Sequence, residues 1–277
     1  VGIALAIAAA LTFLSRPKSQ VIYAREGFAI VALSWIFMSA IGALPFFLSR
    51  EIPNYISAFF ETVSGFTTTG ASILNDVEAL SHTSLLWRSF THWIGGMGVL
   101  VFMMAIIPMS GGSNINLMKA ESPGPSVGKL VPKMKHTARI LYLIYFALTL
   151  AQIILLLLGD MPLFDSITTA FGTAGTGGFG IKNSSIADYS PYIQWIVAIF
   201  MILFGINFNA YYLILYRQFK KAFTMEEIRA YLIIIVVAVS IITIELVHGS
   251  MSVWDALRHS TFQVASVMTT TGFATAD

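Results

Sequence analysis

The stretch Glu61-Thr-Val-Ser-Gly-Phe-Thr-Thr-Thr-Gly70 decides the fold of this 277-residue chain. It is a short amphipathic run that ends in threonines and a glycine, and it occurs three times. The second copy is Thr169-Ala-Phe-Gly-Thr-Ala-Gly-Thr-Gly-Gly178, and the third is Gln263-Val-Ala-Ser-Val-Met-Thr-Thr-Thr-Gly272. We call them the first, second and third motifs. Each lies beside long apolar stretches, which predicts a loop repeated around a helix bundle, with carbonyl and hydroxyl oxygens that replace the water around a cation.

The composition indicates that the bilayer is the solvent of this chain. Hydrophobic residues make up 56% of it and charged residues only 11%, whereas a soluble domain carries about 25% charged residues. The chain has no cysteine, which excludes a disulfide or a thiolate metal site. Its net charge of +2 is too small to indicate nucleic-acid binding.

Apolar segments predict the membrane spans, each of which needs about 20 residues. The segments are Val1–Ser15, Gly27–Leu48, Leu85–Met109, Ala138–Leu158, Tyr192–Leu215 and Ala230–Val247. The motifs lie between these segments, near residues 55–72, 164–180 and 254–274, and are too short and too polar to span. We therefore predict re-entrant loops, each a short helix followed by an extended return. Such backbone is tolerated at membrane depth only inside protein or a wet cavity.

Basic residues predict the orientation in the membrane. Of the 16 Lys and Arg residues, one alternate set of loops, predicted to be cytoplasmic, holds Arg16, Lys18, Arg25, Lys119, Lys129, Lys133, Lys135, Arg139, Arg217, Lys220, Lys221 and Arg229. The other set holds Arg50, Arg88, Lys182 and Arg258. All three motifs then enter the membrane from the external face.

The order span, re-entrant loop, span repeats along the chain. We predict a partial N-terminal transmembrane helix in residues 1–18 and a first repeat in 19–117. A second repeat with its preceding cytoplasmic loop follows in 118–221, and the outer helix and pore loop of a third in 222–277. Three units leave a gap in a ring, so we expect the chain to be a fragment whose fourth repeat lies beyond Asp277. The predicted fold is an all-α membrane protein of helix–pore loop–helix units around a pseudo-fourfold pore, truncated in the third repeat.

Aligned on their terminal glycines, the motifs predict an ion filter. Its residues are Thr67, Thr68, Thr69, Gly70, Gly175, Thr176, Gly177, Gly178, Thr269, Thr270, Thr271 and Gly272. Glycine adopts positive φ without a Cβ penalty, and such backbone turns successive carbonyls to one side. Threonine stiffens the strand and adds a hydroxyl oxygen. In the second motif Gly175 and Gly177 replace threonines, which predicts looser packing and more flexibility there. A mere polar turn at a helix end stays open for one copy but fits three aligned copies poorly.

Four further polar residues are candidates for a role in the pore. Asp165 and Asp255 are predicted N-caps, and their spacing from the terminal glycines predicts that the second motif helix is one turn shorter than the third. Each helix would point its partly negative C-terminal end at the pore and favour a cation. Glu61 either attracts cations at the mouth or hydrogen-bonds to a neighbouring loop. His92 is either a structural hydrogen-bonder or a proton relay.

The motifs, together with Ala120-Glu-Ser-Pro-Gly-Pro-Ser126 and Thr271-Gly-Phe-Ala-Thr-Ala-Asp277, resemble the TrkH-type potassium uptake proteins of the Trk/Ktr/HKT superfamily. The resemblance covers nearly the whole chain. It implies four repeats, K⁺ as the transported ion without an organic cofactor, terminal glycines that favour K⁺ over Na⁺, and an extra N-terminal helical hairpin. It also implies a homodimer in the lipid of the bacterial plasma membrane and a cytoplasmic TrkA-type nucleotide-binding regulator. The gating loop of the third repeat and a positive residue of the fourth would lie beyond Asp277.

Two other functions stay open at this point. The potassium-binding subunit of an ATP-driven pump shares the repeat logic but needs a partner ATPase, and the basic stretch Ala120–Lys135 argues weakly against it. A polytopic scaffold or receptor would use the polar turns only structurally. An enzyme is not predicted, because the sequence lacks the Gly-x-Ser-x-Gly, His-Glu-x-x-His and Walker patterns.

Overall fold

The computed structural model of the chain describes residues 24–98 and 134–276, which form α-helices and no β-strand. The helices are α1 Ala24–Gly42, α2 Leu44–Leu48, α3 Tyr55–Phe66, α4 His82–Gly96, α5 Met134–Leu158, α6 Leu163–Ala174, α7 Pro191–Gly205, α8 Phe208–Leu215, α9 Phe219–Phe223, α10 Glu226–His248 and α11 Val253–Met268. The partial helix predicted in residues 1–18 and the Ala120–Ser126 motif lie outside the described residues. So do the second half of the third predicted span and most of the loop that follows it.

In the described ranges, three helical stretches are long and apolar enough to cross a membrane: Val31–Leu48, Arg139–Leu158 and Glu226–His248. They coincide with the second, fourth and sixth predicted spans. The last of them, α10, leaves large apolar side chains uncovered, with Val236 63% exposed and Ile241 62% exposed. A helix that is apolar all round is typical of a lipid-surrounded span.

The fifth predicted span, Tyr192–Leu215, is not one straight helix, because α7 and α8 meet at a bend of 88°. Tyrosine hydroxyls satisfy carbonyls that the break frees. Tyr231 Oη donates to the carbonyl of Ile202 at 3.1 Å, and Tyr211 Oη donates to that of Leu203 at 2.7 Å. The bend lies at Gly205-Ile206-Asn207, where Asn207 caps α8 by accepting from the Asn209 N–H at 3.0 Å. The apolar residues on both sides conceal it in the hydropathy pattern.

Each motif begins with a short helix that longer helices surround, and we call α3, α6 and α11 the motif helices. Helix α6 packs against α5 and α7 of its own unit and against α4 of the preceding one. Helix α11 packs in the same way against α10 and against α7. An apolar core cluster joins the second and third units and includes Val197, Met201, Phe262 and Phe273. The inner helix of one unit thus supports the motif of the next.

The predicted length difference between two motif helices is confirmed, but the predicted N-caps are wrong. Helix α6 has 12 residues and α11 has 16, a difference of about one turn. The N-cap of α11 is Ser252, whose Oγ accepts from the backbone N–H of Asp255, and α6 begins after Pro162. Asp165 and Asp255 lie instead in the first turns, where the helix dipole favours a carboxylate.

Candidate functional site

The three motif helices end in the same hydrogen-bond pattern. At the end of α3, Thr68 N–H donates to the Gly65 carbonyl at 3.1 Å and Thr69 N–H to the Ser64 carbonyl at 2.9 Å. The matching bonds in the other motifs are Thr176 to Thr173, Gly177 to Gly172, Thr270 to Val267 and Thr271 to Ser266. This is the Schellman motif, which satisfies late helix carbonyls and turns the chain out of the helix. The residues that follow therefore stay beside the partly negative helix end.

The turning residue in every motif is a threonine in the left-handed region. The φ angles are 55° at Thr68, 52° at Thr176 and 58° at Thr270. Left-handed backbone costs a non-glycine residue about 1–3 kcal/mol, and glycine is the usual occupant of this position. The sequence argument expected positive φ only at glycines. Such strain, repeated three times, points to a functional constraint on these loops.

The terminal glycines also have positive φ, as the sequence predicts. The angles are 75° at Gly70, 73° at Gly178 and 84° at Gly272. Each motif therefore alternates left-handed with ordinary backbone over its last residues. Backbone that alternates in this way can turn successive carbonyl groups toward one side, which an ordinary β-strand does not do.

The three motifs meet at these terminal glycines. A Cβ atom on Gly70 would collide with the carbonyl oxygen of Gly177 and lie 3.9 Å from that of Thr271. A Cβ atom on Gly178 would collide with the carbonyl oxygen of Thr271. The ends of all three motifs therefore lie side by side, with the carbonyl oxygens of Gly177 and Thr271 next to the terminal glycines of the neighbouring motifs. Within the described residues no group of three or more His, Asp or Glu side chains could hold a metal ion.

In the first and third motifs, the two threonines that flank the left-handed residue bond to each other. Thr67 Oγ1 donates to the Val63 carbonyl at 2.7 Å and lies 2.8 Å from Thr69 Oγ1. Thr269 Oγ1 and Thr271 Oγ1 pair in the same way at 2.8 Å. The hydroxyl groups thus make their hydrogen bonds within their own loop.

In the second motif glycines replace these two threonines, and His92 of the preceding unit packs in the space that threonine side chains would need. A Cβ atom on Gly177 would collide with the imidazole ring of His92, and one on Gly175 would collide with the backbone carbonyl of His92. The ring also stacks on Phe179 with 4.0 Å between centroids, and Nδ1 accepts from the Phe179 N–H at 3.4 Å. The predicted looser packing of this motif is therefore wrong. Of the two alternatives for His92, structural hydrogen-bonder or proton relay, these contacts support the structural one.

The segments that follow the motifs are joined to one another on the predicted external side. Asn183 Oδ1 accepts from Val77 N–H at 2.9 Å, and Asn183 Nδ2 donates to Asp76 Oδ1 at 2.8 Å. The hydrogen bond from Asn183 lowers the pKa of the Asp76 carboxyl. Between the second and third units, Ile186 N–H donates to the Ala274 carbonyl at 3.0 Å. These bonds fix the loops relative to one another.

Glu61 lies behind the loops rather than at the mouth. It is 1% exposed, and its Oε1 lies 2.6 Å from Nε of Arg88. The hydrogen-bonding alternative for Glu61 is thus the one that the structure supports. Sequence reasoning treated Arg88 as a loop charge and did not single out Phe179. The available signals were the i, i+4 spacing of Arg88 and His92 on α4 and an aromatic residue directly after the second motif.

Membrane-length spans, converging glycine-ended loops and helix C-termini beside them define a class, the membrane cation transport proteins. The sequence profile of the TrkH family, described as cation transport protein, matches residues 1–277. The chain belongs to the TrkH family.

Relatives of known name agree with this placement. The chain is 38% identical over 280 residues to the Trk system potassium uptake protein TrkH of Salmonella typhimurium, covering 99% of this chain and 58% of that protein. It is 35% identical over 258 residues to the Trk system potassium uptake protein TrkG of Escherichia coli K12, covering 91% and 53%. The crystal structure of the potassium transporter TrkH from Vibrio parahaemolyticus matches with a TM-score of 0.81 at 30% identity, covering 95% of this chain and 55% of that one. The chain thus spans a little over half the length of these relatives.

Proposed function

We propose that the chain takes part in potassium uptake across a bacterial plasma membrane and that its three motifs form the ion filter. The observation that carries the proposal is the close approach of all three motif ends, where the carbonyl oxygens of Gly177 and Thr271 lie next to Gly70 and Gly178. Rings of backbone carbonyls replace the hydration shell of a monovalent cation. The relatives named as potassium uptake proteins indicate which cation that is.

Within this proposal, an ion sheds its water at oxygens of Thr67–Gly70, Gly175–Gly178 and Thr269–Gly272. The alternating backbone of the motifs presents their carbonyls, and the C-terminal ends of the motif helices add negative potential. The one carboxylate inside a motif, Glu61, is paired with Arg88. An ion then meets dipoles rather than a fixed charge, so it binds firmly enough to enter and weakly enough to leave.

The same proposal keeps the predicted repeat boundaries of 19–117, 118–221 and 222–277, with residues 1–18 before them. It also includes a homodimer and a cytoplasmic nucleotide-binding regulator of the TrkA type. The Trk system names of the relatives support further components. Exposed basic residues between α8 and α10 support a docking surface for a regulator or for anionic headgroups.

The test is growth at low potassium of an uptake-deficient bacterial host that carries the native full-length gene product. We expect the wild type and Gly180→Ala to restore growth and Gly178→Ala to fail. A Cβ on Gly178 collides with the Thr271 carbonyl, whereas the nearest atom to a Cβ on Gly180 is 3.5 Å away. Equal growth with Gly178→Ala would contradict the proposed filter.

A second measurement separates this proposal from an ATP-driven pump. Uptake of ⁸⁶Rb⁺ into the same cells is followed with and without vanadate. Unchanged uptake supports passage through the filter without a phosphorylated ATPase, and vanadate inhibition indicates the pump subunit. Absence of potassium-dependent growth with the wild type would favour a structural role for the motifs.

A further inference from the structure

Arg88 on α4 is only 3% exposed, and its side chain makes three contacts behind the motifs. Its Nε donates to Glu61 Oε1 at 2.6 Å, and its Nη1 donates to the Gly180 carbonyl at 2.9 Å. The guanidinium carbon lies 3.6 Å from the centroid of the Phe179 ring. Phe179 and Gly180 directly follow the terminal glycine of the second motif. Arg88 therefore contacts the end of the second motif through a hydrogen bond and a cation–π contact, and it reaches the first motif through its ion pair with Glu61.

Glu61, the partner of Arg88, holds the outer end of the first motif. Its Oε2 accepts from the backbone N–H of Ile73 at 3.0 Å, and its Oε1 accepts from Ser72 Oγ at 2.9 Å. Ser72 and Ile73 are the second and third residues after the first motif, and Phe179 and Gly180 are the first and second residues after the second motif. The ion pair thus joins the segments that follow two neighbouring motifs.

The chain offers an internal comparison. We call the contact of an inner helix with the motif of the next unit a junction: α4 with the second motif is the first junction, and α7 with the third motif is the second. Tyr145 Oη donates to the Trp93 carbonyl at 2.9 Å, and Tyr231 Oη donates to the Ile202 carbonyl at 3.1 Å. Because both bonds join an outer helix to the preceding inner helix, Trp93 and Ile202 are equivalent. Counting back five residues from each makes Arg88 equivalent to Val197.

At the second junction the aromatic residue after the motif, Phe273, lies in an apolar cluster that includes Val197 and Met201. An apolar support is therefore sufficient to seat an aromatic residue behind a motif. Replacing a buried ion pair by apolar residues is often neutral or stabilising, so the pair is weak evidence for stability. Its presence at one junction needs another explanation, and its contacts to two loops supply one.

We propose that Glu61 and Arg88 are positioning residues that fix the outer ends of the first and second motifs against each other and thereby set the discrimination of the filter among cations. The inference rests on the proposed function. Neither side chain touches the ion, since both are buried behind the loops and bonded to one another. They act through the Ile73 amide and the Gly180 carbonyl, which anchor the backbone whose oxygens face the ion.

The test measures discrimination rather than the amount of transport. ⁸⁶Rb⁺ uptake by cells carrying the full-length gene product is inhibited with K⁺ and, separately, with Na⁺. The discrimination ratio, which is the inhibition constant of Na⁺ divided by that of K⁺, is then compared among variants. We expect Arg88→Gln and Glu61→Gln each to reduce this ratio about tenfold, the equivalent of losing one hydrogen bond to a charged group. The double variant should be no worse than either single one, because the two residues act as a unit.

Two further variants keep the test decisive if a single neutralisation prevents folding. Arg88→Lys keeps a cation beside Glu61 but lacks the planar fork that reaches Gly180, and we expect it to fold with reduced discrimination. The double substitution Glu61→Leu with Arg88→Met imitates the apolar junction and should also fold with reduced discrimination. Val197→Ala, at the equivalent apolar position, is the matched control and should lower protein yield without changing the ratio.

Wild-type discrimination in the folded variants overturns the inference while leaving the proposed function intact. A wild type that transports no K⁺ or Rb⁺ overturns the proposed function itself. Folding is scored in every case by size-exclusion chromatography of a fluorescent fusion, so that a loss of protein is not counted as a loss of discrimination.

Discussion

The imidazole ring of His92 occupies the volume that a side chain at Gly177 would need. In the first and third motifs the equivalent position is a threonine, Thr69 or Thr271, whose hydroxyl pairs with another threonine of the same loop. The second motif replaces that internal pair with a ring from the preceding unit. Gly177 and His92 therefore fit together, because the glycine has no side chain and the imidazole ring fills the space that one would need.

This relationship predicts a specific rescue. Gly177→Ala should destabilise the protein, because its Cβ collides with the His92 ring, and adding His92→Ala should restore much of the loss. We expect a coupling energy on the order of 1–3 kcal/mol between the two sites. Thermal unfolding of the purified full-length protein in detergent measures it, with ⁸⁶Rb⁺ uptake as the functional readout.

The matched control is Gly175→Ala, whose Cβ collides with the backbone carbonyl of His92 rather than with its ring. Truncating the histidine side chain leaves that carbonyl in place, so His92→Ala should not rescue Gly175→Ala. Equal rescue at both glycines would show that the side chain of His92 does not determine the fit.

The left-handed threonines predict an unusual stabilisation. Thr176→Gly should raise the melting temperature, because glycine adopts a φ of 52° without the strain that threonine bears there. The expected gain is about 1 kcal/mol. Thr176→Ala is the control, since alanine retains the Cβ and hence the strain. Similar stability of the glycine and alanine variants would contradict the strain at this position.

The Asn183–Asp76 bond predicts a pH-dependent stability difference. A carboxyl whose pKa is lowered in the folded state stabilises that state above its unfolded pKa, and the contribution disappears as the pH falls through the folded pKa. Wild type should therefore melt at a higher temperature than Asn183→Ala above about pH 5, and the difference should shrink on further acidification. A difference that grows at acidic pH would refute this account of Asp76.

The bend between α7 and α8 predicts a cost for removing one hydroxyl. Tyr231→Phe leaves the Ile202 carbonyl without its donor and should destabilise the protein by about 1–3 kcal/mol. Tyr192→Phe is the control, because Tyr192 is 42% exposed and its bond to the Leu155 carbonyl is longer, at 3.2 Å. Thermal unfolding that ranks the two variants in the opposite order would contradict the role given to Tyr231.

The parts of this structure that sequence reasoning predicted are those that depend on local pattern. Apolar length located the second, fourth and sixth predicted spans, because the length of a span can be read directly from the sequence. Glycine at the end of each motif predicted positive φ, because few other residues adopt it readily. The one-turn difference between the second and third motif helices followed from residue spacing alone.

The parts that escaped prediction depend on contacts between distant segments. The i, i+4 spacing of Arg88 and His92 places both side chains on one face of α4, but their roles appear only once that face lies against the second motif. The bend after α7 is supported in part from a distant segment, since Tyr231 on α10 donates to the Ile202 carbonyl. The left-handed threonines escaped because propensity assigns that conformation to glycine, and the surrounding loops override it.

Support of each motif by the inner helix of the preceding unit has a consequence for how such a chain diversifies after gene duplication. The copies are no longer interchangeable parts: a third motif transplanted into the second position would set Thr271 against the imidazole of His92, and a second motif moved to the third position would leave a void beside Met201. We therefore expect substitutions at these contacts to be tolerated mainly in pairs, with one member in each of two adjacent copies. The copies should then differ most where they touch one another and least within each hairpin.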